Sequence, residues 1–301
     1  MAGRLRFRHL ELVQVLERTG SLRAAAGVLH QTESALSKAL RETEAMLGCA
    51  LFERTRRGLR PLPEGRIVVR GAALLMAELA HLQEEVLTAR GRADAVLRVG
   101  APPFLAISVL PAVFERLLQR EPPVHVRLTE ERVPRLYEAL LAGDLDALVT
   151  TILAEPPEAQ GAKLRYEKLF ESEIVVIAPG KHALARQRAV PWAKLASEPW
   201  ILPRRDTFVR RLADDMFLRA GNLAPRPVIE SSNPLTNVKL VAAGLGLGVI
   251  PAPVAMEGES AGSVRRVHTS PAIPTVPVAL VTRGDANPRA VLLREALALR
   301  S

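Results

Sequence analysis

The stretch SLRAAAGVLHQTESALSKALRETEAMLGCALFERTRRG, residues 21–58, contains two short helical patterns joined by a turn and followed by arginines grouped around a glycine. Ser21 stands where a side-chain oxygen would cap the first helix, and Leu22, Ala25, Ala26 and Leu29 fall on one of its faces. The small alanines there let a second helix cross closely. His30 and Gln31 make the turn, and Thr32 can cap the next helix by accepting a backbone N–H. In that second helix Leu36, Leu40, Thr43 and Leu47 share an inward stripe, while Ser34, Ser37, Lys38 and Arg41 share the opposite face with Glu33 nearby. Base edges in a major groove are read by side-chain donors and acceptors, and phosphates attract cations, so this face has the composition of a recognition helix. An ordinary amphipathic helix with a solvated polar face has the same composition.

The residues that follow bear on that choice. Leu51 and Phe52 read as core anchors, and Arg54, Arg56, Arg57 and Arg60 place four cations within seven residues around Gly58. A hairpin turning at such a glycine lays arginines along a phosphate backbone or into a minor groove, as the wing of a winged helix does. Standing alone, an arginine run is solvated surface; its position directly after a helix-turn-helix pattern gives it a use.

Charge is distributed in the same sense. The 301 residues carry 41 Lys and Arg against 32 Asp and Glu, a net of +9. Residues 1–70 hold 13 basic and 7 acidic residues, whereas residues 71–301 hold 28 and 25, so +6 of the excess lies in the first quarter. A basic module joined to a nearly neutral body follows, with a polyanion as partner. The 48% hydrophobic content argues against disorder, and the length predicts two domains or one large one. Cys49 is the only cysteine, no Cys/His cluster has zinc spacing, and no run of about 18 uncharged apolar residues occurs. The N-terminus has no apolar segment ahead of a small-residue cleavage site. These features predict a cytoplasmic protein with no membrane partner and no cofactor.

Residues 64–90 contain no proline, and Val68, Ala72, Leu75, Leu79, Leu82 and Val86 recur at intervals of 4, 3, 4, 3 and 4. That is a heptad seam, the spacing that lets two helices supercoil, on a helix about 39 Å long at 1.5 Å per residue. It reads as a dimerisation arm, with packing of the stripe on the chain's own body as the other reading. Two basic modules on paired arms would reach two half-sites of an interrupted palindrome.

Beyond residue 91 strands and helices alternate, with strands expected at 95–99, 124–129, 147–150, 173–178, 228–231, 247–250 and 276–282. Helices are expected at 107–120, 133–142, 208–220, 235–243 and 288–300. Such alternation predicts α/β units around mostly parallel sheets, with ligands at the carboxyl ends of strands. The glycines of residues 244–248 follow a helix and enter a strand, the reverse of a dinucleotide fingerprint, so they read as a tight turn.

The first module resembles the LysR-type transcriptional regulators. The matching residues are Gly20, Ser21, Ala25, Ala26, Leu29, Thr32, Ala35, Leu36, Ser37, Glu44, Leu47, Gly48, Leu51, Phe52, Arg54 and Gly65, in unbroken order over about 45 residues. Glu33, Thr43 and Pro63 depart from the pattern, which has Gln, Leu and Thr there. The resemblance continues more weakly at Leu110-Pro111, at residues 143–147 and at residues 244–251. It implies a winged helix-turn-helix at residues 1–63, a linker helix at 64–90, and an effector domain of the type 2 periplasmic-binding-protein fold at 91–301. The lobes of that domain would be residues 95–167 plus 269–301, and residues 168–268. It further implies a dimer or tetramer, double-stranded DNA and RNA polymerase as partners, and a small-molecule effector.

On this basis the DNA-binding residues are Ser21, Thr32, Glu33, Ser34, Ser37, Lys38, Arg41, Arg54, Arg56 and Arg57. The effector-binding candidates are Pro103, Phe104, Thr150, Arg204, Thr207, Ser231 and Asn233. Family members often place a Ser or Thr just after the first strand of the domain to bind an effector carboxylate; here Ala101-Pro102-Pro103-Phe104 offers no hydroxyl. Arg204, Arg205, Thr207, Ser231, Ser232 and Asn233 would have to supply the contacts to a small organic acid. Two other functions stay open. A bifunctional enzyme-repressor would need a catalytic constellation, yet there is no phosphate loop, G-x-S-x-G elbow or H-E-x-x-H. An architectural DNA-binding protein would have no use for about 200 residues of α/β structure.

Overall fold

The computed structural model describes residues 5–56, 58–90, 95–119, 124–152, 164–284 and 288–298. The first module is α1 (Phe7–Thr19), α2 (Leu22–Leu29), α3 (Glu33–Leu47) and an antiparallel hairpin of β1 (Phe52–Thr55) and β2 (Gly58–Pro61). Its core is Leu12, Val13, Leu16, Ala25, Leu36 and Leu51, each at most 2% exposed. Leu40 and Thr43 join this inward stripe, but Leu47, at the last turn of α3, is exposed. Each Leu or Val side chain buried here contributes about 1.5–3 kcal/mol. Thr43 replaces a family leucine without leaving an orphan hydroxyl, because its Oγ1 donates to the Ala39 carbonyl at 2.7 Å. Pro63 opens α4 (Pro63–Ala89), a position where its missing N–H costs nothing.

The body is two lobes. Lobe I starts with β3 (Ala95–Ala101), α5 (Pro103–Ser108), α6 (Leu110–Leu118), β4 (Val124–Glu130), α7 (Val133–Ala142), β5 (Ala147–Thr151) and β6 (Leu164–Ser172). Lobe II holds β7 (Ile174–Pro179), β8 (Val190–Pro191), α8 (Trp192–Leu195), β9 (Trp200–Leu202), α9 (Phe208–Arg219), β10 (Ile229–Glu230), α10 (Pro234–Ala242), β11 (Leu247–Pro251), α11 (Ala252–Ser260), β12 (Val264–Val267) and β13 (Thr269–Ser270). The chain returns to lobe I through β14 (Val276–Arg283) and α12 (Pro288–Ala298).

The two five-stranded sheets have orders β4-β3-β5-β14-β6 and β10-β9-β11-β7-β12. In each, the first two pairings are parallel and the last two antiparallel. The expectation of mostly parallel sheets is corrected to mixed sheets, because a crossing strand enters each sheet in the opposite direction. Apolar residues pack on both faces of each sheet. In lobe II the edge of Phe217 meets Trp192 and Trp200 at centroid distances of 4.9 and 5.5 Å.

Several expected boundaries move. β6 stays in the lobe I sheet as far as Ser172, which pairs with Val276, so the lobes exchange at Glu173 rather than after residue 167. On the return, β13 pairs with β8 in lobe II, and the chain rejoins lobe I at Val276 rather than at residue 269. The helix expected at 107–120 is two helices broken at Val109, since Pro111 cannot donate to the residue 107 carbonyl; residue 120 lies outside the described residues. The turn at residues 244–248 leads from α10 into β11 as expected.

Candidate nucleic-acid interface and effector cleft

Ser21 and Thr32 cap α2 and α3: their side-chain oxygens accept from the Ala24 and Ala35 N–H groups at 3.0 and 3.2 Å. Both are thereby positioning residues for the helices. Glu33 lies in the first turn of α3, where a carboxylate complements the helix dipole. Ser34, Lys38 and Arg41 are exposed and Ser37 half-buried on the outer face of α3. Arg54 on β1 and Arg56 on the hairpin turn are exposed as well. Among the described residues Lys38, Arg41, Arg54 and Arg56 have no carboxylate partner, so their charge is available to an external anion. Arg57 lies outside the described residues.

The wing is held against α3 and the arm by contacts that no local pattern announces. The Glu44 carboxylate accepts the Leu51 N–H at 2.8 Å and the Phe52 N–H at 3.4 Å, tying the end of α3 to the start of β1. Leu59 donates to the Gly20 carbonyl at 2.7 Å, and Gly58, with φ of 117°, passes so close that a Cβ would stand 2.3 Å from that oxygen. At the start of α4 a Cβ on Gly65 would stand 1.9 Å from the Leu51 carbonyl oxygen. The end of α3, the hairpin and the start of the arm are therefore tied together.

The arm's seam divides in two. Ala72 is 1% exposed and Val68 packs on the core of the first module, so the N-terminal part of the stripe is consumed within the chain. Ala72 is thus corrected from a seam position to an intramolecular one, because α1 packs along this part of α4. Leu75, Leu82 and Val86 are about half exposed, at 50, 56 and 49%, and Leu79 is half-buried. These C-terminal positions are the exposed part of the stripe.

In the body, Phe104 packs against the core of lobe I and also against that of lobe II, so it lies where the lobes meet. Arg132 of lobe I reaches across to Asp206 of lobe II at 3.0 Å, and Arg204 approaches the same carboxylate at 3.4 Å. Pro103 begins α5 and is half-buried. Thr207 and Asn233 are spent as helix caps, their side-chain oxygens accepting from Arg210 N–H at 3.3 Å and Thr236 N–H at 3.1 Å. The Thr207 hydroxyl also donates to the Arg204 carbonyl at 2.7 Å. Thr150 is fully buried. Thr207 and Asn233 thus also serve as helix caps, and the buried Thr150 Oγ1 has no hydrogen-bond partner among the described residues. Ser231 remains half-buried beside the mouth, its carbonyl accepting from Asn237 at 2.9 Å.

Sequence reasoning missed Arg132, Asp206 and the fully buried Arg210, which donates to Asp214 at 2.8 Å and the Pro203 carbonyl at 3.2 Å and so shapes the 203–207 loop. An arginine in a helical run gives no sign that it will be buried. A cavity of about 990 Å³ also escaped it; Val109, Leu169, Met256, Arg266, Arg294 and Leu297 are among its lining residues, and none of the seven effector candidates is. Among the described residues no cluster of three His, Cys, Asp or Glu is disposed to hold a metal. No described helix is long and apolar enough to cross a membrane.

Two family models match the chain. The bacterial regulatory helix-turn-helix protein, lysR family, matches residues 7–66, and the LysR substrate binding domain matches residues 90–299. A probable hydrogen peroxide-inducible genes activator of Streptomyces viridosporus is 30% identical over 279 residues, 92% of this chain and 88% of that protein. The regulator PcaQ of Agrobacterium fabrum is 27% identical over 286 residues, 95% of this chain and 91% of that protein. Of solved structures, ArgP from Mycobacterium tuberculosis superposes with a TM-score of 0.71 at 22% identity, covering 98% of this chain and 97% of that one.

Proposed function

This chain belongs to the LysR-type transcriptional regulator family, DNA-binding regulators of transcription with an effector-binding domain, and we propose that it reads DNA through α3 and the β1–β2 wing. The observation that carries this reading is the exposed face of Ser34, Lys38 and Arg41 beside Arg54 and Arg56, whose cations have no carboxylate partner among the described residues. Ser37, Lys38 and Arg41 enter the major groove, with Glu33 and Ser34 near the helix N-terminus; Arg54 and Arg56 contact phosphates or the minor groove. Arg57, by its place in the run, joins them. The arms pair through Leu75, Leu79, Leu82 and Val86, giving a dimer that assembles further into a tetramer in the cytoplasm and touches RNA polymerase on DNA. The protein acts by binding, not by catalysis.

The effector is a small organic acid. Arg132 and Arg204 share the single Asp206 carboxylate and Arg205 is exposed beside them, so an excess of positive charge supports an anion, with Phe104, Pro103 and Ser231 lining the approach. Binding there shifts the population of lobe arrangements and through it the placement of subunits and the bend of the DNA.

The test is a footprint on the DNA upstream of the protein's own gene. Ser37→Ala and Lys38→Ala should each weaken protection while leaving thermal unfolding unchanged; undiminished affinity in both would sink the recognition-helix assignment. For the effector, a panel of organic acids should raise the melting temperature. A shift with neutral compounds and none with acids would refute the anion reading.

A further inference from the structure

At the mouth of the cleft three guanidinium groups meet one residue. Arg132, just ahead of α7 in lobe I, reaches the Asp206 carboxylate at 3.0 Å, and Arg204 approaches the same carboxylate at 3.4 Å. Arg211 on α9 donates to the Asp206 carbonyl at 3.2 Å. The loop that carries Asp206 is fixed at both ends: Ser232 accepts the Arg204 N–H at 3.2 Å, and the buried Arg210 donates to the Pro203 carbonyl at 3.2 Å. Glu131, beside Arg132, turns its carboxylate to the Arg132 backbone N–H at 3.0 Å and has no ion pair among the described residues. One carboxylate thus serves cations from both lobes, and the cations are in excess.

The Arg132, Arg204 and Asp206 side chains are 58, 60 and 48% exposed, so water screens each pair and the partners exchange readily. What favours Asp206 is its tether. A carboxylate carried beside its cations competes at an effective concentration on the order of millimolar. An acid with one charge brings no more than Asp206 already supplies, and below that concentration it loses. An acid with two carboxylates brings one more, enough to satisfy Arg132 on lobe I together with Arg204 and Arg211 on lobe II. We propose that Asp206 is an internal stand-in for a ligand carboxylate, and that the ligand which displaces it is a dicarboxylate bridging Arg132 to Arg204 and Arg211 across the lobes. Asp206 then sets the concentration at which the ligand takes over the tie between the lobes. This deepens the proposed function and rests on its reading of the cleft as an anion site.

The test is thermal unfolding of the full chain with malonate, succinate and glutarate, and with acetate and propionate, at constant ionic strength. Concentrations stay below about 10 mM, where such anions do not yet act by exclusion from the protein surface. In the parent, at least one dicarboxylate should raise the melting temperature while the monocarboxylates leave it unmoved. Asp206 is exposed and Asp206→Asn keeps the fold. In that variant the same dicarboxylate should act at a concentration lower by about tenfold or more, and the monocarboxylates should begin to act. Adding Arg132→Gln should remove the gain. A variant no more responsive than the parent, or a gain that survives Arg132→Gln, would overturn the stand-in. An equal response of the parent to monocarboxylates and dicarboxylates would overturn the dicarboxylate. If neutral compounds alone shift the parent while Asp206→Asn still gains affinity for acids, the stand-in holds and the anionic effector of the proposed function fails.

Discussion

The Glu44 carboxylate on α3 accepts the Leu51 N–H at 2.8 Å, seven residues along the chain, and thereby ties the β1–β2 hairpin to the C-terminal end of α3. Glu44→Ala leaves that N–H without its acceptor beside a fully buried Leu51 side chain. The expected loss is about 1–3 kcal/mol of stability. It should appear as a lower urea midpoint, accompanied by weaker DNA binding from a displaced wing.

Two glycines on one helix should respond in opposite directions. Gly65→Ala drives a methyl into the Leu51 carbonyl, which is backbone and cannot yield, and should cost more than about 2 kcal/mol. Gly71→Ala meets nothing within 4 Å and should stabilise α4 by about 0.5–1 kcal/mol. Thermal unfolding of the two variants side by side decides the matter.

On the proposed reading the wing arginines act through phosphate charge. Arg54→Ala and Arg56→Ala should each weaken binding evenly across sequences and reduce the slope of log affinity against log salt by about 1. A change confined to one operator position would instead mark a base contact.

Leu82 is 56% exposed on the free part of the arm seam. Leu82→Lys should dissociate the dimer in sedimentation experiments at micromolar concentration, because two such cations would face each other in the paired arms. Ala72→Ser should leave the dimer intact and instead loosen the first module, since Ala72 is buried within the chain.

Burial holds the His81 imidazole below its ordinary value, with Arg98 and Arg289 acting in the same direction while Asp146 and Glu78 oppose them. Glu84, on the same helix, also interacts with His81. The unfolded chain therefore takes up a proton near pH 6.5 that the folded chain refuses, and stability falls as pH drops below about 6.5. His9, also lowered by burial and by Arg8 and Arg6, adds to the same loss. Melting temperatures from pH 7.5 to 5 should decline, and His81→Asn should flatten part of the decline. Glu84 is held below the usual carboxylate range in spite of burial, by its contact with Arg98, so its contribution is lost only at lower pH, below about 4.5.

What the sequence by itself determined is the order of parts. Ser21, Thr32, the Leu36 and Leu40 stripe, the arginines about Gly58 and the heptad from Val68 are local signals, legible because helical periodicity, capping and charge density act within a few residues. Much of the strand and helix alternation of the body was legible for the same reason, but β6, β9, β12 and α11 were not among the expected elements. Tertiary structure alone decided the rest: that β14 lies between β5 and β6, that the lobes exchange at Glu173, and that Ala72 is consumed within the chain. It also decided that Thr207 and Asn233 spend their polar atoms as caps, that Arg132 meets Asp206, and that Arg98 binds Asp146. Arg98 and Asp146 stand 48 residues apart and Glu78 and Arg283 stand 205 apart. No local pattern specifies such partners; they are chosen when the elements pack, and for Arg98 and Asp146 burial makes the pairing obligatory.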